Sequence, residues 1–357
     1  MDRRKFLIST GGVAVAAAAS TAAGAEGTAP GSAAHSAQPD ATVLRFAMPW
    51  ADRPQGPADS ARRLAQRFRA MTGGRYRLEI VASSEEADLL HGSAYDLARH
   101  HPAFAYFAGL PGPAGLAAGD FAHWLTVGGG QALWDDLAAD YGWKPLAAGH
   151  LGHAPPIWSR APITSLADIA GHPLAIDGLG ADAARALGAD VHPLAPDAAA
   201  RALEDGTVRA AEIGGLLTSL GLGVARLAKF ATGHGLTGSG TALALHVRRD
   251  VWDRFAPEDQ SVLAAAAEQE FHAAVAEARS HERLARDTFE TAFGVSFTAW
   301  PADIAGALDR VAEATIAHVA GYDARAARID QSYMAFRSAV SGSAAPRRVH
   351  SAGRAIS

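Results

Sequence analysis

The chain has 357 residues, 49% apolar and 19% charged, with 37 glycines and 18 prolines, enough length for two lobes with separate cores. Thirty-two basic against thirty-seven acidic side chains give a formal net charge of −5 and no basic stripe, which argues against nucleic acid as a partner. Cysteine is absent, excluding a disulfide framework, a thiolate-held zinc or iron–sulfur site and a cysteine nucleophile.

Asp2-Arg3-Arg4-Lys5-Phe6-Leu7 sets an arginine pair ahead of a soft apolar run from Leu7 through Ala19, and Ala23-Gly24-Ala25 supplies small residues for cleavage. Residues 1–25 therefore read as a secretory signal, and the arginine pair predicts the twin-arginine route and a periplasmic mature protein. The run is short for a spanning helix, which needs about 20 apolar residues, and Gly11, Gly12, Ser20 and Thr21 weaken it further. Residues 26–41, mostly Ala, Gly, Ser and Pro, read as a disordered spacer, and 341–357 as a tail of similar composition.

Thr42 to Met48 reads as a half-buried strand ended by Pro49. Ala61, Leu64, Ala65, Phe68 and Met71 follow helical spacing before the Gly73-Gly74 stop. Tyr76 to Ala82 alternates Tyr76, Leu78 and Ile80 on one face of a second strand, and Ala87 to Leu90 reads as a third. This opening is a β-α-β unit of a mostly parallel sheet. Ala118 to Trp124 and Gly130 to Asp140 read as helices, and Lys144 to Trp158 as a strand with part of a crossover. Ser165 to Ile169 is a helical turn, Pro173 to Ile176 a strand, 181–187 and 198–204 helices, and Arg209 to Glu212 a strand end. Thr241 to Val247 is a strand able to return the chain to the first lobe. Pro257, with Glu258 and Asp259 behind it, opens a helix that runs to Phe293, and Pro301 to Ala320 and Asp323 to Val340 complete a helical end.

The predicted fold class is α/β and two-lobed. Residues 42–159 form a first lobe with a return strand in 241–250, 160–240 form a second lobe, and 251–340 span both as helices. Periodicity alone also allows a doubly wound enzyme. His100-His101 and His150-x-x-His153 offer imidazoles for a metal, but Gly149, Gly152 and Pro155 speak against a helix there, so these read as loop or pocket-wall histidines. Gly178-Leu179-Gly180 lacks the third glycine of a dinucleotide fingerprint and reads as the turn between a strand and a helix. A Gly-x-Ser-x-Gly elbow, a His-Glu-x-x-His motif and an assignable carboxylate pair are all missing, so no enzyme constellation emerges.

Several strings together carry a resemblance: Asp88-Leu89-Leu90-His91-Gly92, His101-Pro102-Ala103-Phe104-Ala105, Gly128-Gly129-Gly130-Gln131-Ala132-Leu133-Trp134-Asp135, Gly240-Thr241-Ala242-Leu243, Trp252-Asp253 and Ser332-Tyr333-Met334-Ala335-Phe336-Arg337. From Leu44 to Arg337 the chain resembles the extracytoplasmic solute-binding proteins of tripartite ATP-independent periplasmic (TRAP) transporters, closest to the branch that binds 2-oxo acids. The resemblance implies a periplasmic binding protein with a ligand cleft between two lobes and long C-terminal helices, which can also mediate a homodimer. It further implies two membrane subunits that receive a small carboxylate, driven by an ion gradient.

Where that family reads Met-Arg-Ile-Pro-Gly-Leu-Gly, this chain has Leu174-Ala175-Ile176-Asp177-Gly178-Leu179-Gly180, so Ala175 stands in place of the carboxylate-binding arginine. Loss of a bidentate guanidinium removes the strong, geometry-setting contact for an acid. The family's sodium site uses a glutamine, a glutamate and the backbone of the following tryptophan; these positions are Ala154, Glu212 and Ile213. Glu212 is thus the one remaining side-chain candidate for sodium, and no other cofactor is expected. By resemblance, Trp50, Tyr95, Trp158, Asp177, Glu212 and Ile213 line the cleft, with His150 and His153 near the altered glutamine position. A helix of the family is also missing between Val81 and Ala87. The expected function is a receptor for a small organic acid or an altered small solute, the alternative being a sensor or interaction protein with a decayed cleft.

Overall fold

The computed structural model describes residues 41–343 apart from 51–56, 111–113, 153–154 and 237–239. The expected signal and nearly all of the spacer lie outside the described residues, as do 344–357 of the tail. In chain order come β1 (Thr42–Ala47), α1 (Pro57–Met71), β2 (Tyr76–Val81), β3 (Leu89–Ser93), α2 (Ala105–Ala108), α3 (Ala118–Thr126), α4 (Gly130–Ala139) and β4 (Trp143–His150). The chain crosses to β5 (Ile157–Ser159), β6 (Pro173–Ala175), α5 (Gly178–Ala186), β7 (Asp190–His192), α6 (Pro196–Asp205), β8 (Ala210–Glu212), α7 (Leu216–Gly221) and β9 (Phe230–Thr232). It returns as β10 (Ala242–Arg248) and α8 (Arg249–Arg254), then closes with α9 (Pro257–Phe293), β11 (Ser296–Thr298), α10 (Ala302–Ala320) and α11 (Ala324–Ser343).

Two sheets result, ordered β2-β1-β3-β10-β4 and β11-β9-β5-β8-β6-β7. β1 runs parallel to β2 and β3, whereas β10 is antiparallel to both its neighbours. β10 is apolar almost throughout because it lies inside the sheet with cores on both faces. One of those cores holds Phe107, Trp124 and Trp134, the other Phe46, Phe68 and Leu245. The second sheet is likewise covered on both faces, by Trp158 and Phe289 on one and by Ile157, Ile176 and Trp300 on the other. Each lobe is therefore an α/β sandwich of its own.

The C-terminal helices join the lobes. α9 has 37 residues, about 55 Å at an ordinary helical rise. Its first half buries Leu263, Ala266 and Phe271 in the first lobe, and its last turns bring Phe289 to the second. Glu270 of α9 is fully buried and accepts from Ser60 Oγ at 2.8 Å and Arg63 Nη2 at 2.7 Å, and from Arg67, which clamps α9 to α1. α10 also spans both, with Ile304 and Leu308 in the second lobe's core and Ala312 and Val319 in the first's.

Some expectations shift. Ile157–Ser159, given by sequence to the first lobe, pairs with β8 and β9 in the second sheet. Ile80, expected to share a buried face with Tyr76 and Leu78, is 43% exposed because β2 is an edge strand. The third strand begins at Leu89 and continues to Ser93, and residues 82–88 before it carry no helix. α11 runs to Ser343, into the segment read as tail.

Candidate ligand cleft

Three strand ends build the site. After β3, the Ser93 hydroxyl accepts from Tyr95 N at 3.1 Å while Ser93 N donates to Asp96 Oδ2 at 3.2 Å. This capping box fixes the short 3-10 turn Ala94–Leu97 and with it Tyr95 and Asp96. After β6, Asp177 accepts from Gly178 N at 2.7 Å and caps α5. At the end of β8 stands Glu212. A Cβ at Gly180 would lie 2.7 Å from Ile176 Cδ1 and 3.5 Å from Glu212 Oε2, so glycine lets the first turn of α5 settle over that carboxyl. Ligands of α/β sheets gather outside such carboxyl ends.

The two lobes meet here. Tyr95 Oη of the first donates to Asp182 Oδ2 on α5 of the second. Burial, and then Asp182, push the Tyr95 hydroxyl well above the ordinary phenol range. Burial raises Asp96, with the Asp177 charge adding to it. Burial and Asp177 push Glu212 up to about 8, so its carboxyl is mostly protonated at neutral pH. Glu212 as a residue is only partly buried, yet its Oε2 is enclosed and has no hydrogen-bond partner among the described residues. Two guanidiniums act on the cluster: Arg185 bonds Asp182 Oδ1 at 2.8 Å, and Arg99, whose Nε donates to His100 at 3.2 Å, lowers Asp96 by its charge.

The remaining expected residues scatter. Trp50 sets its ring edge-on to His91 at 5.5 Å, and its Nε1 is buried without a partner among the described residues. Trp158 is fully buried in β5, packed on Phe289 at 4.8 Å and Phe297 at 5.9 Å, and its Nε1 has no hydrogen-bond partner among the described residues. Strand alternation turns Trp158, Ala175 and Ile213 toward that same core, on the opposite face of the sheet from Glu212. An arginine at Ala175 would therefore begin in the core and not beside Glu212. His150 packs edge-on against Phe271 at 5.7 Å and its Nδ1 accepts from Gly152 N at 3.0 Å. His153 and Ala154 lie outside the described residues. His101 caps the turn Pro102–Phe104 and meets Asp323 at 3.0 Å, a structural role.

The sodium site implied by resemblance does not fit these residues. The Ile213 carbonyl already accepts from Ser219 Oγ at 2.9 Å, Glu212 favours its protonated form, and no group of three or more His, Asp or Glu side chains able to hold a metal gathers among the described residues. A hard cation needs several oxygens.

Sequence reasoning missed Asp182 and Asp96. Their signal is position: a carboxylate within the first turns after a strand end. That Tyr95 and Asp182 meet across 87 positions left no trace in either segment.

The comparisons with known proteins agree with this architecture. The monocarboxylate 2-oxoacid-binding periplasmic protein of Nostoc sp. is 29% identical over 216 residues, covering 57% of this chain; the match spans 59% of that relative's length. A TRAP transporter solute-binding protein from Bordetella bronchiseptica, a dimer with calcium and picolinate in its active site, superposes with a TM-score of 0.78 at 21% identity, over 85% of this chain and 93% of that one. One from Pseudoalteromonas atlantica with bound sodium and pyruvate gives 0.76 at 20% identity, over 85% and 95%. At that identity the likeness establishes the two-lobed fold. Residues 57–318 match the DctP family, bacterial extracellular solute-binding protein family 7, and the chain belongs to that family.

Proposed function

We propose that this chain is the periplasmic receptor of a TRAP-type secondary transporter: exported by the twin-arginine signal in residues 1–25, it captures one small solute between its lobes and hands it to membrane subunits. The observation that carries the reading is the convergence of Tyr95 and Asp96 from one lobe with Asp177, Asp182 and Glu212 from the other. A solute touching both walls stabilises the closed arrangement over the open one, and binding shifts the population accordingly. The crossings between lobes suit such a motion. A Cβ at Gly240 would lie 1.6 Å from Gly152 O, so glycine alone lets the outgoing and returning segments touch. The family acts by binding solutes and not by catalysis, and the named relatives bind pyruvate or other small acids. A homodimer through α9 to α11 belongs to the same reading.

Calorimetric titration of residues 26–357 with pyruvate, further small carboxylates, sugars and amines, with and without sodium, tests it. A one-to-one isotherm matched by a rise in melting temperature is expected. Silence across the panel by both methods would overturn the receptor reading.

A further inference from the structure

We propose that the cleft takes a small solute carrying an ammonium group, gripped by Glu212 and Asp177, in place of a carboxylate. The inference rests on the receptor reading above and names its ligand class. Carboxyl groups gather around α5 where the lobes meet: Asp177 caps that helix, Asp182 on it accepts from Tyr95 of the first lobe, Glu212 Oε2 lies under Gly180 of its first turn, and Asp96 stands beside Tyr95. Asp177 is central, since its charge is felt by Tyr95, Asp96 and Glu212 alike. Of the two nearby guanidiniums, Arg185 is paired with Asp182, and Arg99, whose Nε donates to His100, acts on Asp96. Even with Glu212 protonated, Asp96, Asp177 and Asp182 outnumber Arg99 and Arg185, so an entering anion would meet net negative potential.

The carboxyls do not stand equal. Asp96 is held by Ser93 N, Asp177 by Gly178 N and Asp182 by Tyr95 and Arg185. Glu212 Oε2 alone among them is enclosed with its hydrogen-bonding capacity unused. A buried acceptor left unmade costs free energy, which a ligand donor recovers on binding. An ammonium supplies three donors and the opposite charge in one compact group. Asp177, one α5 turn away from Gly180, supplies the second negative charge over the same spot.

The test titrates residues 26–357 with ethanolamine and 1,4-diaminobutane as cations and pyruvate as the anion, each with and without sodium. An amine is expected to bind at least about tenfold tighter than pyruvate, without a sodium requirement. Glu212→Gln should weaken the amine about 100-fold and Asp177→Asn about tenfold, consistent with loss of charge-assisted bonds. Asparagine still caps a helix and glutamine matches the protonated carboxyl in shape, so both variants keep the fold, which melting of the free proteins checks. Pyruvate binding tighter than both amines overturns the ligand class and leaves the receptor standing. An amine affinity unmoved by Glu212→Gln overturns the grip assigned to that residue. No binding by either amine overturns the ligand class, while the receptor reading falls only on silence across the wider panel of carboxylates, sugars and amines.

Discussion

The Tyr95 hydroxyl donates to the Asp182 carboxylate, tying the first lobe to the second through one charge-assisted hydrogen bond. Arg185 holds the other Asp182 oxygen at 2.8 Å, so the acceptor is fixed before the lobes meet. Tyr95→Phe removes the tie and keeps the ring. The closed-to-open ratio of the free protein should fall by about fivefold, for a bond worth about 1 kcal/mol. Small-angle scattering of the ligand-free variant should show a larger radius of gyration; an unchanged radius would mean that other contacts hold the lobes shut.

Glu212 makes the folded state proton-hungry. The unfolded carboxyl titrates near 4.5 and the folded one near 8, so below 4.5 both states are protonated and stability is intact. As pH rises through this window the unfolded chain ionises first, and folding weakens until the folded group also ionises near 8. Glu212→Gln should therefore gain about 4 kcal/mol at pH 8 and almost nothing at pH 4.5. Urea midpoints at the two pH values decide it, since equal gains at both would contradict a buried, protonated carboxyl.

His91 and His246 work in the opposite direction. Both are buried, and burial pushes each imidazole from 6.5 down to about 4. His91 Nε2 bonds the Ala148 carbonyl at 3.1 Å, but its Nδ1 and both His246 nitrogens have no partner among the described residues. As pH falls below 6.5 the unfolded chain takes up these protons and the folded chain does not, so stability drops until about pH 4. Each group contributes a slope of about 1.4 kcal/mol per pH unit. His246→Phe, which fits beside Trp134 and Trp143, should roughly halve the loss of denaturation free energy between pH 6 and 5.

Trp158 offers a test of core against cleft. Its ring fastens β5 to α9 through Phe289. Trp158→Ala should cost about 4 kcal/mol of stability, whereas Trp158→Phe should bind the same ligand with unchanged affinity. A large affinity loss in the phenylalanine variant, at intact melting temperature, would return this residue to the cleft.

Long elements were readable from local chemistry. α9 begins at Pro257 and ends before Gly294 because a proline at the first helical position and a glycine beyond the last carry their own backbone preferences. β1, α1 and β10 were equally plain from their periodicity. The three-residue strands β7, β9 and β11 escaped notice, since three residues are too few to show an alternation. Glu212 stood out through family likeness alone, with nothing in Ala210-Ala211-Glu212 to mark it.

Composition, local patterns and family strings were enough to announce an α/β solute receptor with two lobes and a helical brace, because each depends on residues close together in the chain. Which side chains look into the cleft was settled by folding. Trp158 and Ala175 turned to the core while Glu212 turned the other way, since a strand flips its side chains at every step and the sheet's packing sets which face is buried. The acidic ring around Asp177 exists because α5 carries Asp182 to Tyr95 from a distant segment, and charge acts through space without regard to sequence separation.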